Sequence, residues 1–168
     1  VYDNIIDNFK HGTLFVDCST IDVDKAKHLH KKCEVKNLLS LDAPVSGGVG
    51  GAEQATLTFM VGGPEDAYKQ MLPLLEIMGK KSLLCGSSGS GQATKACNNM
   101  LLATTMIGVG EAFNLGNNLG LDPNKLFEIL STSTGSCWSI NSYCPIEGIG
   151  PKSPADNKFQ PGFSANLM

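Results

Sequence analysis

Gly89-Ser90-Gly91-Gln92-Ala93-Thr94-Lys95-Ala96-Cys97-Asn98-Asn99-Met100-Leu101-Leu102 marks the point at which the texture of the sequence changes. From Gly91 to about Leu119 no proline intervenes, and apolar residues such as Met100, Leu101, Ile107 and Leu115 recur around most of a helical circumference. That pattern predicts one long helix, buried on more than one side. Gly108, Gly110 and Gly116 each weaken helicity by about 1 kcal/mol relative to alanine, so they are expected where another helix approaches closely.

Upstream of this helix the sequence alternates. Thr13–Asp17 (TLFVD) reads as a strand and Val23–Glu34 as a helix. Asn37–Asp42 (NLLSLD) reads as a second strand, closed by Ala43-Pro44 because proline cannot donate to a central ladder. A glycine-rich loop is expected over Ser46–Gly51, then a β-branched and aromatic strand over Thr56–Val61. Pro64 followed by Glu65-Asp66 announces a helix to about Met78, and Ser82–Cys85 makes a fourth short strand. Downstream, Asp122-Pro123 reads as N-cap and first helical residue of a helix to about Leu130. A short helix is expected within Ser136–Tyr143, and Pro145–Pro161, with four prolines, as an irregular loop. The fold class is therefore α/β followed by all-α.

Composition narrows the function. The 168 residues are 42% hydrophobic and 17% charged, which fits a folded domain rather than disorder. A net charge of -3 argues against nucleic acid as a partner, and no apolar run is long enough to suggest a membrane span. All 13 cationic residues are lysines, so no guanidinium fork is present to grip a carboxylate or phosphate. Six cysteines form no CxxC pair and have no histidine at ligand spacing, so no metal is expected; Cys18 and Cys97 read as reduced, buried thiols. His28 and His30, two apart on a lysine-rich helix, read as solvated.

Two glycine-bearing segments can carry chemistry. Asp42-Ala43-Pro44-Val45-Ser46-Gly47-Gly48 ends a strand in bare backbone, where N–H groups and the Ser46 hydroxyl can converge on an anion or simply make a tight turn. Gly89-x-Gly91 opens a helix but lacks both the third glycine and the downstream acid of a dinucleotide fingerprint, so it does not read as a phosphate cradle. Beyond it, Lys95 and Asn99 are four apart and project from one helical face. They are either a functional pair or an exposed lysine near a helix start.

These residues resemble a known family. Asp17-Cys18-Ser19-Thr20-Ile21-Asp22, Asp42-Ala43-Pro44-Val45-Ser46-Gly47-Gly48-Val49-Gly50, Leu57-Thr58-Phe59-Met60-Val61-Gly62-Gly63, the Gly89–Leu102 stretch, Leu119-Gly120-Leu121-Asp122-Pro123 and Cys137-Trp138-Ser139 stand in the order found in 3-hydroxyisobutyrate dehydrogenases of the β-hydroxyacid dehydrogenase family. The resemblance implies the later part of a Rossmann-type NAD-binding domain over residues 1–87. A long interdomain helix and part of a helical substrate and dimerisation domain would follow over residues 88–168. By that likeness Lys95 matches the catalytic lysine, Asn99 its helix partner, Ser46, Gly47 and Gly48 the loop that receives the substrate carboxylate, and Thr20 a contact near the nicotinamide.

The resemblance further implies an NAD cofactor, a small hydroxy-acid substrate, a homo-oligomer and a mitochondrial matrix location. The implied reaction is oxidation of 3-hydroxyisobutyrate to methylmalonate semialdehyde in valine catabolism. The family's GxGxxG turn is not in this sequence, and its Lys-Asp pair following the match at Leu167-Met168 is not either. The sequence is therefore expected to be an internal piece of a dehydrogenase that alone binds NAD weakly and turns nothing over. Two alternatives remain at this stage, a sibling enzyme acting on another semialdehyde and a non-catalytic dimerisation scaffold; Lys95 with Asn99 favours an enzyme. Trp138 reads as a pocket wall or as a core or interface residue.

Overall fold

The computed structural model describes residues 5–160. These fall into two compact units that divide between Cys97 and Asn98. Leu167 and Met168, which carry the last family match, lie outside the described residues.

The first unit is built on a mixed sheet. Strand β1 (Leu14–Asp17) pairs in parallel with β2 (Leu39–Asp42), so that Asp17 and Asp42 stand side by side at their carboxyl ends. After Ala43-Pro44 the chain continues as β3 (Val45–Ser46), and both segments lie antiparallel to β4 (Leu57–Gly62), with Asp42 opposite Gly62 and Ser46 opposite Thr58. Proline can sit at this break because its carbonyl alone is needed: Pro44 accepts a hydrogen bond from the Met60 N–H. Strand β5 (Gly79–Gly86) then pairs in parallel with β4. It is longer than Ser82–Cys85 because Gly79, Lys81 and Gly86 also pair with β4, with a register shift at Lys80.

Helix α1 (Val23–Val35) begins where Asp22 accepts the N–H groups of Asp24 and Lys25, and it buries Ala26, His30 and Cys33 at helical spacing against β2. Helix α3 (Glu65–Met78) buries Ala67 and Leu75 with Leu41, Ala43, Phe59 and Val61, the main core of this unit. Pro64 stands just outside that helix, at the N-cap. The expected glycine loop is in part helical: α2 (Gly48–Glu53) follows Gly47. The turn holds because Gly47 takes a φ of +135° and its carbonyl accepts the Gly51 N–H, while Leu57 closes over Gly47 and Gly51.

The second unit gathers around Val109, Phe113, Ile140, Cys144 and Ile149. The first two come from α4 (Ser90–Asn118), and Leu126, Phe127 and Leu130 of α5 (Pro123–Thr132) pack against them. Asp122 caps α5 with bonds from Asn124 and Lys125, as its spacing to Pro123 predicts. Helix α6 (Trp138–Asn141) is shorter than its expected window. Within the proline-rich loop, Ser153 and Asp156 make a reciprocal capping box and the Ser153 hydroxyl donates to the Cys144 carbonyl.

Four expectations are corrected. Helix α4 buries one stripe through Val109 and Phe113, but Met100, Leu101, Ile107 and Leu115 are each at least 60% exposed. Of Gly108, Gly110 and Gly116, only Gly116 meets a neighbour, Leu126; a Cβ at Gly108 or Gly110 would find nothing within 4 Å. Cys18 and Cys97 are exposed, whereas Cys33 and Cys144 are the buried thiols, and all six are free. His30 is buried while His28 is exposed. The Ala26-His30-Cys33 stripe puts His30 on the sheet side, and its partners there satisfy the ring. Because Gly108 bears no packing duty, Gly108→Ala is expected to stabilise the fold by about 0.5–1 kcal/mol. Urea unfolding checks this.

Candidate active site

The first turn of α4 is seated on the carboxyl end of β2. Asp42, 2% exposed, receives the Gly89 N–H on Oδ1 at 2.8 Å and the Gln92 N–H on Oδ2 at 2.9 Å. His30 Nε2 lies 2.9 Å from the same Oδ1, and His30 Nδ1 lies 2.7 Å from the Ser40 hydroxyl. Burial raises the cost of ionising Asp42, but hydrogen bonds from His30, Gly89 and Gln92 outweigh it and hold the carboxyl below the usual carboxylate range. A lowered folded value means that the stabilisation is present above the unfolded pKa and is lost as pH falls through the folded one. Acid unfolding should therefore be less steep in Asp42→Asn than in wild type below about pH 4. Circular dichroism across an acid titration checks this.

Gln92, 1% exposed, extends the seat sideways. Its amide Nε2 donates to the Ser19 carbonyl at 2.7 Å, and its Oε1 accepts the Ile21 N–H at 3.0 Å. These bonds fix the backbone on both sides of Thr20, which is exposed at the carboxyl end of β1. The glycines of the segment serve this close approach. A Cβ at Gly91 would strike the backbone carbonyls of Met60 and Asp42, and one at Gly62 would strike the Asp42 carboxylate and the Ser90 and Gly91 amides.

Lys95 follows on the same helix, half-buried. It forms no ion pair among the described residues, and burial lowers its pKa from the ordinary lysine range. Asn99 stands one turn further on, beyond the boundary at Cys97. Ser46 is half-buried at the end of β3, and Gly47 and Gly48 are exposed, with φ of +135° and +61°. Among the described residues no side-chain hydrogen bond or ion pair joins Lys95 to Asn99, Ser46, Gly47 or Gly48. The geometry thus ties Lys95 and Thr20 to one seat, while Ser46 ends β3 of the same sheet and Gly47 and Gly48 lead into α2. Sequence reasoning passed over Asp42 and Gln92 as working residues and missed His30. The signals available were a carboxylate closing an apolar strand and an amide in the first turn after Gly91.

Comparison with known proteins adds a second line. A family model described as the NAD binding domain of 6-phosphogluconate dehydrogenase matches residues 1–87. One described as the NAD-binding domain of NADP-dependent 3-hydroxyisobutyrate dehydrogenase matches residues 89–168. The mitochondrial 3-hydroxyisobutyrate dehydrogenase of Drosophila melanogaster is 51% identical over 168 residues, covering 99% of this chain and 52% of that protein. The chain belongs to the 3-hydroxyisobutyrate dehydrogenase family. The human mitochondrial family member is 49% identical over 99% of this chain and 49% of its own length. A solved structure of the Mycobacterium tuberculosis 3-hydroxyisobutyrate dehydrogenase with L-serine superposes with a TM-score of 0.91 at 48% identity, covering 99% of this chain and 57% of that one. The chain therefore spans about half the length of the family members it matches, and its two matched segments are those of an NAD(P)-binding family.

Proposed function

We propose that this chain serves the NAD-dependent oxidation of 3-hydroxyisobutyrate to methylmalonate semialdehyde in valine breakdown, with Lys95 as general acid and base. The observation that carries this reading is a half-buried lysine with a lowered pKa, standing on a helix whose start is locked to the carboxyl ends of the sheet strands. In doubly wound sheets those ends are where ligands bind. The described residues fit the nicotinamide end of a dinucleotide: Thr20 is exposed there and its loop is held by Gln92. Bound NAD would accept hydride from the carbinol carbon. The neutral Lys95 amine takes the hydroxyl proton as that carbon is oxidised, and the ammonium returns it in the reverse direction. Asn99, one helical turn on, would orient the same substrate group.

Ser46 and the N–H groups beside Gly47 and Gly48 would receive the carboxylate. With no arginine in the sequence, backbone and hydroxyl are the available partners. The L-serine named with the mycobacterial structure is itself a 3-hydroxy acid, carrying an amino group where 3-hydroxyisobutyrate has a methyl, which supports this substrate class. A homo-oligomer is supported by the exposed apolar residues Met100, Leu101, Ile107 and Leu115 of α4. We read the location as the mitochondrial matrix, supported by the fly and human relatives being named mitochondrial.

The test compares turnover of 3-hydroxyisobutyrate with that of other small 3-hydroxy acids and semialdehydes. The reading expects the first to have the highest kcat/KM, and a higher value for a semialdehyde would transfer the assignment to a sibling activity. The anion loop has its own test. Gly47→Val is uninformative because φ of +135° strains any side chain there. Gly48, with φ of +61° and open space around it, accepts asparagine. Gly48→Asn is expected to leave the melting temperature nearly unchanged. It should raise KM for the hydroxy acid about tenfold, the loss of one charged hydrogen bond, while KM for NAD holds.

A further inference from the structure

We propose that Asp42 and Gln92 are positioning residues that set Lys95 and the Thr20 loop in one common register. The inference rests on the roles proposed above for Lys95 and Thr20, and it concerns how they are held. A helix cap needs a single acceptor. Asp42 instead spends both carboxylate oxygens on the opening turn of α4, Oδ1 on Gly89 and Oδ2 on Gln92, and uses Oδ1 again for His30. The turn can neither rotate nor slide without losing one of these bonds in a site closed to water.

Gln92 then uses the two atoms of its side-chain amide on the two sides of Thr20, at Ser19 and Ile21. The residue whose own N–H is capped by Asp42 is thus the one that grips the loop. Lys95 lies three residues on, about 4.5 Å along the helix axis. One carboxylate therefore fixes where the base stands and, through a single amide, where the cofactor-side loop stands. His30, bridged to Ser40, holds the carboxylate from the third side. Gly62 and Gly91 let the backbones approach closely enough for this to happen.

The experiment makes Asp42→Asn, Gln92→Ala and, as a core control outside the network, Leu75→Ala, in protein carrying this sequence. Steady-state kinetics, NADH binding by fluorescence and amide hydrogen exchange at Gly89 and Ile21 are read for each. In Asp42→Asn the amide NH2 must oppose a backbone N–H, so kcat should fall about a hundredfold, by more than either KM rises. Gln92→Ala keeps the Asp42 cap and frees the loop. It should weaken NADH binding about tenfold and speed exchange at Ile21, with little change in kcat. Leu75→Ala should speed exchange throughout and leave kcat and NADH affinity in place.

If both network variants behave like Leu75→Ala, the proposal is overturned and the bonds are structural only. Should Asp42→Asn fail to fold, Gln92→Ala alone decides, because its split between NADH affinity and kcat does not depend on the cap. Absence of hydroxy-acid turnover in wild type would count against the proposed function instead, while exchange and NADH binding still decide the positioning.

Discussion

In the full-length enzyme, Lys95→Ala is expected to lower kcat for hydroxy-acid oxidation by about a hundredfold or more, the range lost with a general base, and to leave NAD affinity nearly unchanged. Lys95→Arg should not restore the rate, because a guanidinium does not give up its proton near neutral pH. The pH dependence has a definite sign. Burial lowers the Lys95 pKa, so the neutral amine is populated at a lower pH than in a free lysine, and kcat should climb through that lowered value to a plateau. A lysine whose folded value lies below its unfolded one also disfavours folding while charged, so its contribution to stability improves as pH rises between the two. A kcat loss below about tenfold in Lys95→Ala would remove the lysine from the chemistry.

Gly91→Ala is expected to have the largest effect on folding, about 3 kcal/mol or more, because the added methyl meets the backbone carbonyls of Met60 and Asp42. A side chain can swing away from such a contact. Two main-chain oxygens in adjacent strands cannot do so without breaking the ladder. The contrast with Gly108→Ala, in the same helix, separates the glycines that admit a neighbour from those that merely cost helicity. Urea unfolding of the two variants side by side measures both signs.

The alternation of strand and helix and the long helix were legible because they depend on local pattern. Asp122-Pro123 opens a helix, Ala43-Pro44 ends a ladder, and no proline interrupts α4. Which side of α4 is buried was not legible, since apolar residues occur all round it and only contact with Ile140 and Cys144 selects Val109 and Phe113. Lys95, Asn99, Ser46, Gly47, Gly48 and Thr20 could be named through motif resemblance, which supplies roles without geometry. The Asp42 seat could not be read, because Asp42 and Gln92 are 50 residues apart in sequence and meet only when the helix returns to the sheet. His30 was misread for a related reason: a histidine among lysines carries no local sign that its face will meet Ser40 and Asp42.

The central claim is that the Lys95 helix and the Ser46–Gly48 loop serve one small hydroxy acid. Isotope-edited NMR of a full-length dehydrogenase carrying this sequence, titrated with 3-hydroxyisobutyrate in the presence of NAD, tests it most directly, residue by residue. Saturable shifts concentrated at Ser46, Gly47, Gly48 and Lys95, saturating at about tenfold higher hydroxy acid in Gly48→Asn, are the predicted result. Saturable shifts that leave all four residues unmoved would contradict it.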